Sequence, residues 1–170
     1  MKRFLLVISA GLAISLSSKS QLYVNKATFF IDQGAVVTVE GDVTSDTSIL
    51  GSGKLYLNGG SLQNVNMDNA NDAVAKGFAN GYTIPFLEIN NAANASLNSK
   101  AVIQDSISFV AGKISIGNND ITLSQNCKAK GMASGMFVET NGSGVCRRTV
   151  SSNFANIIMP IGLGTNYRPV

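Results

Sequence analysis

Short stretches of alternating apolar and polar residues cover much of the chain after residue 20. In each, two apolar side chains stand at positions i and i+2, which places both on one face of a β-strand. Examples are residues 37–39 (VTV), 54–57 (KLYL), 86–89 (FLEI), 106–109 (SISF), 113–116 (KISI) and 120–123 (DITL). Turn formers such as Asn58-Gly59-Gly60 and Gly117-Asn118-Asn119 separate them. The pattern predicts an all-β fold of short strands.

The apolar pairs recur at a nearly constant spacing. The pair Val37 and Val39 returns as Leu55 and Leu57, and the pair at positions 87 and 89 returns at positions 107 and 109. A period of roughly 18–20 positions with three short strands is typical of one coil of a parallel β-helix. We therefore predict a right-handed parallel β-helix-like solenoid. An antiparallel β-sandwich stays open as the alternative, because two strands repeating every ~8–12 residues produce the same period.

Three segments follow from these patterns. Residues 1–20 have a basic start, an apolar stretch of 13 residues and a small-residue end, which predicts a signal peptide. Residues 21–130 form the β-helix-like region, and residues 67–84, rich in Ala, Asn and Gly, are predicted to be an irregular insertion within it. Residues 131–170 are predicted to begin a further β sub-structure that is truncated here.

Removal of the predicted signal peptide, here called the leader, changes the net charge of the chain. The leader holds three of the 13 basic residues (Lys2, Arg3 and Lys19) and none of the 10 acidic ones, so the mature chain has 10 of each. A net charge of zero gives no support for nucleic-acid binding. A stretch of 13 apolar residues is shorter than the about 20 that a membrane helix needs. We expect a secreted or cell-surface protein without nucleic-acid partners and without a membrane span in the mature chain.

The composition excludes several kinds of active site. The chain has no His and only two Cys, so histidine-based catalysis, four-thiolate zinc sites and iron–sulfur clusters are excluded. Close carboxylate pairs occur at Asp42/Asp46, Asp68/Asp72 and Asp105/Asp120. None of these pairs stands at i, i+2 on a predicted strand, where two acids would share a face. We expect no catalytic residues, no metal and no cofactor, and interpret the chain as a non-enzyme.

Cysteine and tyrosine residues supply the remaining candidate positions. The spacing of Cys127 and Cys146 is close to one coil, and an oxidising compartment favours a disulfide between them. Two buried thiols are the alternative. Tyr56 and Tyr82 are candidate glycan contacts, because aromatic rings pack against sugars, although a lone strand Tyr is more often a packing residue.

The second half of the chain carries motifs that look familiar. It resembles the β-rich N-terminal region of the large secreted and cell-surface proteins that Bacteroidota export by type IX secretion. The resemblance covers about residues 86–170 and rests on residues 111–119 (AGKISIGNN), 137–144 (FVETNGSG), 145–148 (VCRR), 158–162 (IMPIG) and 167–170 (YRPV).

The resemblance implies surface location but no activity. The C-terminal sorting domain of that family is absent here, so we expect an N-terminal fragment of a longer protein. In the family, Asp-Ser/Thr followed by an apolar residue accepts an O-glycan, which makes Ser106 in Asp105-Ser106-Ile107 a candidate acceptor.

The function predicted from these observations is structural. We expect a non-enzymatic extracellular stalk or adhesin-like surface segment, whose partners are surface polysaccharide or other surface proteins. A carbohydrate-binding or carbohydrate-cleaving β-helix is the first alternative. A self-assembling matrix protein, whose edge strands pair between copies, is the second.

Overall fold

The computed structural model describes residues 19–67, 81–151 and 157–169. The predicted signal peptide (except residues 19 and 20) and most of the predicted insertion lie outside these residues. The described residues form an all-β structure without a helix, in which stacked parallel strands make a β-solenoid of about six turns. The predicted fold class is confirmed, and the antiparallel sandwich is excluded because nearly all strand pairs are parallel.

The first face of the solenoid is a sheet of eight strands. In spatial order they are β1 (Leu22–Val24), β4 (Val43–Ser45), β7 (Gln63–Asn66), β9 (Ala95–Leu97), β11 (Ile114–Ser115), β14 (Val138–Glu139), β16 (Ile161–Leu163) and β17 (Asn166–Tyr167). The first seven pair in parallel with one strand per turn, and the last, β17, pairs in antiparallel fashion with β16.

The second and third faces share their longest strands. The remaining strands are β2 (Phe29–Ile31), β3 (Val36–Val39), β5 (Ile49–Gly51), β6 (Lys54–Leu57), β8 (Tyr82–Asn90), β10 (Ala101–Ala111), β12 (Ile121–Leu123), β13 (Lys128–Lys130) and β15 (Cys146–Arg148). The first part of β10 pairs with β12 and its later part with β13, so β10 runs over two faces. The pairs β2–β5 and β3–β6 occupy the same two faces in the early turns.

The strand register confirms the columns of apolar residues predicted from the spacing. Val37 lies opposite Leu55, Leu55 opposite Leu87, and Leu87 opposite Ile107. These leucines and Ile107 are at most 1% exposed. Full burial of one such side chain contributes about 1.5–3 kcal/mol to folding. A continuous apolar column therefore holds successive turns together along the third face.

The insertion leaves this register intact. Leu55 pairs with Leu87 just as Val37 pairs with Leu55, although a much longer stretch of chain joins the first two. The extra residues fall between β7 and β8, and those at positions 68–80 lie outside the described part. The insertion thus lengthens one turn without shifting the strands on either side.

Strand pairing also continues past residue 130. β14 and β16 extend the first face, and β15 extends the second. Turns are longer here. The step from Ile121 to its partner Cys146 takes more residues than the step from Ala101 to its partner Ile121. In the described residues, the antiparallel hairpin of β16 and β17 and one isolated antiparallel bridge, between Ala133 and Met136, depart from the solenoid pattern.

Candidate functional site

The corner that leads from the third face to the first contains buried amide side chains. We call residues 58–63, 90–94 and 111–113 the closed corner. Asn91 is fully buried and donates from Nδ2 to the Ser61 carbonyl (2.7 Å) and to Gln63 Oε1 (2.9 Å). Gln63, 1% exposed, donates in turn to the Val39 and Gly41 carbonyls. Each buried amide thus bridges neighbouring turns and leaves no group unpaired, as burial requires.

One glycine lets the closed corner pack this tightly. Gly112 has φ +74°, and a Cβ placed on it would lie 1.9 Å from the Asn91 carbonyl oxygen. Any larger residue would push the backbones of two turns apart, and its φ is one that L residues rarely adopt. The close contact fixes the spacing of the turns at this corner.

The outward side chains of β6 and β8 are also joined to one another. Lys54 Nζ lies 2.9 Å from Glu88 Oε2 and 5.0 Å from the centre of the Phe86 ring. The Tyr56 hydroxyl accepts a hydrogen bond from Asn90 Nδ2. The contacts of this half-buried row join neighbouring turns, and a glycan contact at the Tyr56 ring stays a prediction.

The corner between the second and third faces has a different construction. The number of residues in this corner increases over three successive turns. Pro85 alone separates Ile84 from Phe86, whereas two residues separate their partners Ile103 and Ser106. In the next turn the partners Leu123 and Lys128 are separated by four. We call residues 104–105 and 124–126 the open corner.

Local backbone structure turns the side chains of the open corner outward. Gln104 and Asp105 form an irregularity in β10, at which the register to β8 shifts. Such bulges redirect side chains away from the sheet. Residues 124–127 form a β-turn in which the Cys127 amide donates to the Ser124 carbonyl (3.0 Å). Gln125 and Asn126 occupy its two central positions.

These side chains line a groove of about 300 Å³. Its walls are Gln104, Asp105, Gln125 and Asn126, all exposed, together with Thr83, Val102 and Ser124. Within the described residues, the first four side chains make no hydrogen bond or ion pair with the rest of the chain. The groove therefore presents three free amides and one free carboxylate together with one apolar residue, Val102.

The predicted glycan contact Tyr82 lies elsewhere. Its side chain points into the core and is 7% exposed. Tyr82 and Ile84 alternate inward on the second face, so the ring packs with the apolar columns. The prediction for Tyr82 is corrected accordingly, because a buried ring presents no face to a sugar.

The candidate O-glycan acceptor Ser106 is also buried. It is 6% exposed, and its hydroxyl donates to the Lys128 carbonyl in the next turn (3.0 Å). In this fold the Ser106 hydroxyl is a link between turns, which leaves it unavailable to a modifying enzyme.

The two cysteines are free thiols in the structure, and the predicted disulfide is not formed. The longer turn after Leu123 places Cys146 opposite Ile121 and not opposite Cys127. Burial raises the pKa of Cys127 to about 11, and burial together with the neighbouring Cys127 raises the pKa of Cys146 to about 12. Both thiols are protonated at neutral pH, which makes them poor nucleophiles.

The carboxylates hold neighbouring turns together. Asp42 accepts hydrogen bonds from Asn64, and Asp120 accepts from the Val145 amide and from Arg147. The Val145 hydrogen bond and the Arg147 charge lower the pKa of Asp120. Across the described ranges, no three Cys, Asp or Glu side chains converge into a metal-binding group. The pair Asp68/Asp72 lies outside those ranges.

Sequence reasoning did not identify the open corner. Its one available signal was the polar run Ser124-Gln125-Asn126 between two inward residues, Leu123 and Cys127. Nothing in that run indicates that it lies beside Gln104 and Asp105, because the register and the bulge decide that.

The chain matches no protein-family model, no curated protein and no solved structure with which it was compared. In the described part of the chain, no helix is long and apolar enough to cross a membrane.

Proposed function

We propose that this chain is a non-enzymatic extracellular segment of the stalk or adhesin type, which spaces or displays other groups at the cell surface. The observation that carries the proposal is the uninterrupted parallel stack. About six turns at about 4.8 Å per turn give a stack of roughly 30 Å. A stack with paired strands and a continuous core is a stiff element, as a spacer requires.

The use of charged side chains supports this proposal. All three ion pairs of the described residues join neighbouring turns: Lys54–Glu88, Lys113–Glu139 and Arg147–Asp120. Glu139 is 6% exposed and also accepts from the Ser115 hydroxyl and the Gly164 amide. Acids that catalyse hydrolysis face a substrate cleft, whereas each of these acids is tied to a neighbouring turn by an ion pair.

Export to the surface is the second element of the proposal. It rests on the leader-like residues 1–20, on the zero net charge of the remaining chain and on the resemblance to type IX secreted proteins. The lack of charge suits a segment that stands among other surface molecules without attracting nucleic acid.

Two measurements test the proposal. Protease treatment of intact host cells followed by mass spectrometry is expected to release peptides of residues 21–170, and detection of the chain only in the cytoplasmic fraction would overturn it. Incubation of the purified chain with a polysaccharide panel is expected to release no reducing ends. Turnover that disappears in Asp105→Asn or Asp42→Asn would show an enzyme instead.

A further inference from the structure

We propose that the groove of the open corner is a binding site for neutral saccharide chains, contacted by Gln104, Asp105, Gln125 and Asn126. This inference goes beyond the spacer function, since a stack of turns supports a surface segment whether or not the groove is occupied. It gives the segment a ligand class, hydroxyl-rich carbohydrate.

The groove differs from many other polar parts of the solenoid. There, amides and acids link neighbouring turns: Asn98 donates to Asn64 (3.0 Å), Asn64 donates to Asp42, and Asn90 donates to Asn58 (2.7 Å). In the groove, four such side chains converge, and none bonds another described residue. Polar groups that the fold does not use are free to bind a ligand.

The chemistry of the lining suits a sugar. Each amide offers both donors and acceptors, and a carboxylate accepts from two hydroxyls, which matches adjacent hydroxyl groups on a sugar ring. Val102 adds one apolar side chain, which can contact ring C–H groups. The other lining residues are polar, which suits a ligand rich in hydroxyl groups.

The charge and the size of the groove narrow the class of ligand to short neutral chains. The lining contains one carboxylate and no Lys or Arg, so it disfavours phosphates and acidic sugars and favours neutral chains. A volume of about 300 Å³ lies at the lower end of the range of ligand clefts, which is about 300–1,000 Å³. The groove therefore fits a short stretch of a chain and not a large folded partner.

The side-chain amides themselves report on binding. In ¹⁵N-labelled mature chain, we expect at least one of the soluble probes cellohexaose, laminarihexaose, xylohexaose and mannohexaose, at millimolar concentration, to shift the NH₂ signals of Gln104, Gln125 and Asn126 saturably. The NH₂ signals of Asn91 and Gln63, which are buried in the closed corner, are expected to stay unchanged. Unchanged groove signals with all four probes would overturn the proposal.

Variants and an acidic probe sharpen this test. Replacing one amide, Gln125→Ala or Asn126→Ala, is expected to weaken binding roughly threefold to tenfold, as the loss of one or two hydrogen bonds predicts. Gln33→Ala is the matched control, because Gln33 is exposed in a turn far from the groove in the sequence. Equal weakening by the control, or tighter binding of an oligogalacturonate than of every neutral probe, would overturn the proposal.

The variants also separate failure of the site from failure of the fold. Circular dichroism melting of each variant is measured beside the titration, and we expect unchanged melting because the substituted side chains bond no described residue. Failure of saccharide binding with correct surface location would remove this inference and leave the spacer function standing.

Discussion

The closed and open corners use the same kinds of residue in opposite ways. At the closed corner, Asn91 and Gln63 face inward, are at most 1% exposed and bond carbonyl groups of the turns beside them. At the open corner, Gln125 and Asn126 face outward and bond no other described residue. An inward amide must find a partner because an unpaired buried amide costs about 1–3 kcal/mol, whereas an outward amide is satisfied by water. Orientation therefore decides whether an amide stabilises the fold or is available to a ligand.

The strongest test of the closed corner is Gly112→Ala. The added Cβ would lie 1.9 Å from the Asn91 carbonyl oxygen, and φ is +74°. We expect a loss of about 3 kcal/mol or more in the free energy of unfolding, because neither backbone can move without breaking bonds between turns. Urea unfolding followed by circular dichroism measures it.

Gly34→Ala is the control for that substitution. Gly34 also has a positive φ, +80°, but a Cβ there would meet nothing within 4 Å. We expect a loss of about 1–2 kcal/mol from backbone strain alone. Equal losses at the two positions would show that close packing of the turns does not matter at the closed corner.

The buried amides themselves are the next target. Asn91→Ala removes the donor to the Ser61 carbonyl and one of the two donors to Gln63 Oε1, which keeps its hydrogen bond from the Gly59 amide. We expect a loss of about 2–3 kcal/mol in the free energy of unfolding. In a double-mutant cycle with Gln63→Ala, the two losses are expected to be non-additive by about 0.5–3 kcal/mol. Full additivity would contradict the hydrogen-bonded chain described for this corner.

The same contrast between a paired and an unpaired side chain holds for two acids, Glu139 and Asp105, and it predicts how the stability of their variants changes with pH. Burial alone would raise the pKa of Glu139, but hydrogen bonds from Lys113, Ser115 and the Gly164 amide, with the Lys113 charge, outweigh it and lower this pKa. A lowered folded-state pKa gives stability above the unfolded-state pKa that is lost as pH falls through the folded-state value. We expect Glu139→Gln to cost about 1.5–3 kcal/mol at pH 7 and progressively less in acid.

Asp105→Asn is the matched control, because Asp105 is an exposed acid of the open corner without an ion pair in the described residues. Melting temperatures measured from pH 7 to strongly acidic solution compare the two variants. A difference between Glu139→Gln and the parent chain that stays constant with pH would contradict the paired carboxylate.

The sequence predicts the apolar columns well because they depend on local alternation and on a repeated spacing. Val37, Leu55, Leu87 and Ile107 are all found from their own neighbours, and the register aligns them as expected. A long insertion does not disturb this prediction, since the strands on both sides keep their own alternation.

Side-chain direction near corners is harder to predict. Tyr82 and Ile84 face inward at even positions, but Leu87 and Ile89 face inward at odd positions, because the chain changes parity at Pro85. At the two-residue corner the parity is kept, since Ile103 and Ile107 are both buried, and yet Ser106 beside Ile107 is buried too. A corner of one, two or four residues looks alike in the sequence, yet it decides which side chains reach solvent. The spacing of Cys127 and Cys146 failed as a guide because the turn between them is longer than the period.

The smallest expected effect on stability is the most informative for function. The double variant Gln125→Ala with Asn126→Ala removes both free amides of the β-turn, whose own hydrogen bond runs from the Cys127 amide to the Ser124 carbonyl. Since neither side chain bonds another described residue, we expect the free energy of unfolding to change by less than about 0.5 kcal/mol. Urea unfolding and saccharide titration, carried out on the same preparation, measure the stability of this variant and its binding. A clear loss of stability would mean that these amides support the fold as Asn91 does. Unchanged stability together with lost binding would show that the amides of the closed corner stabilise the fold, whereas those of the open corner bind the ligand.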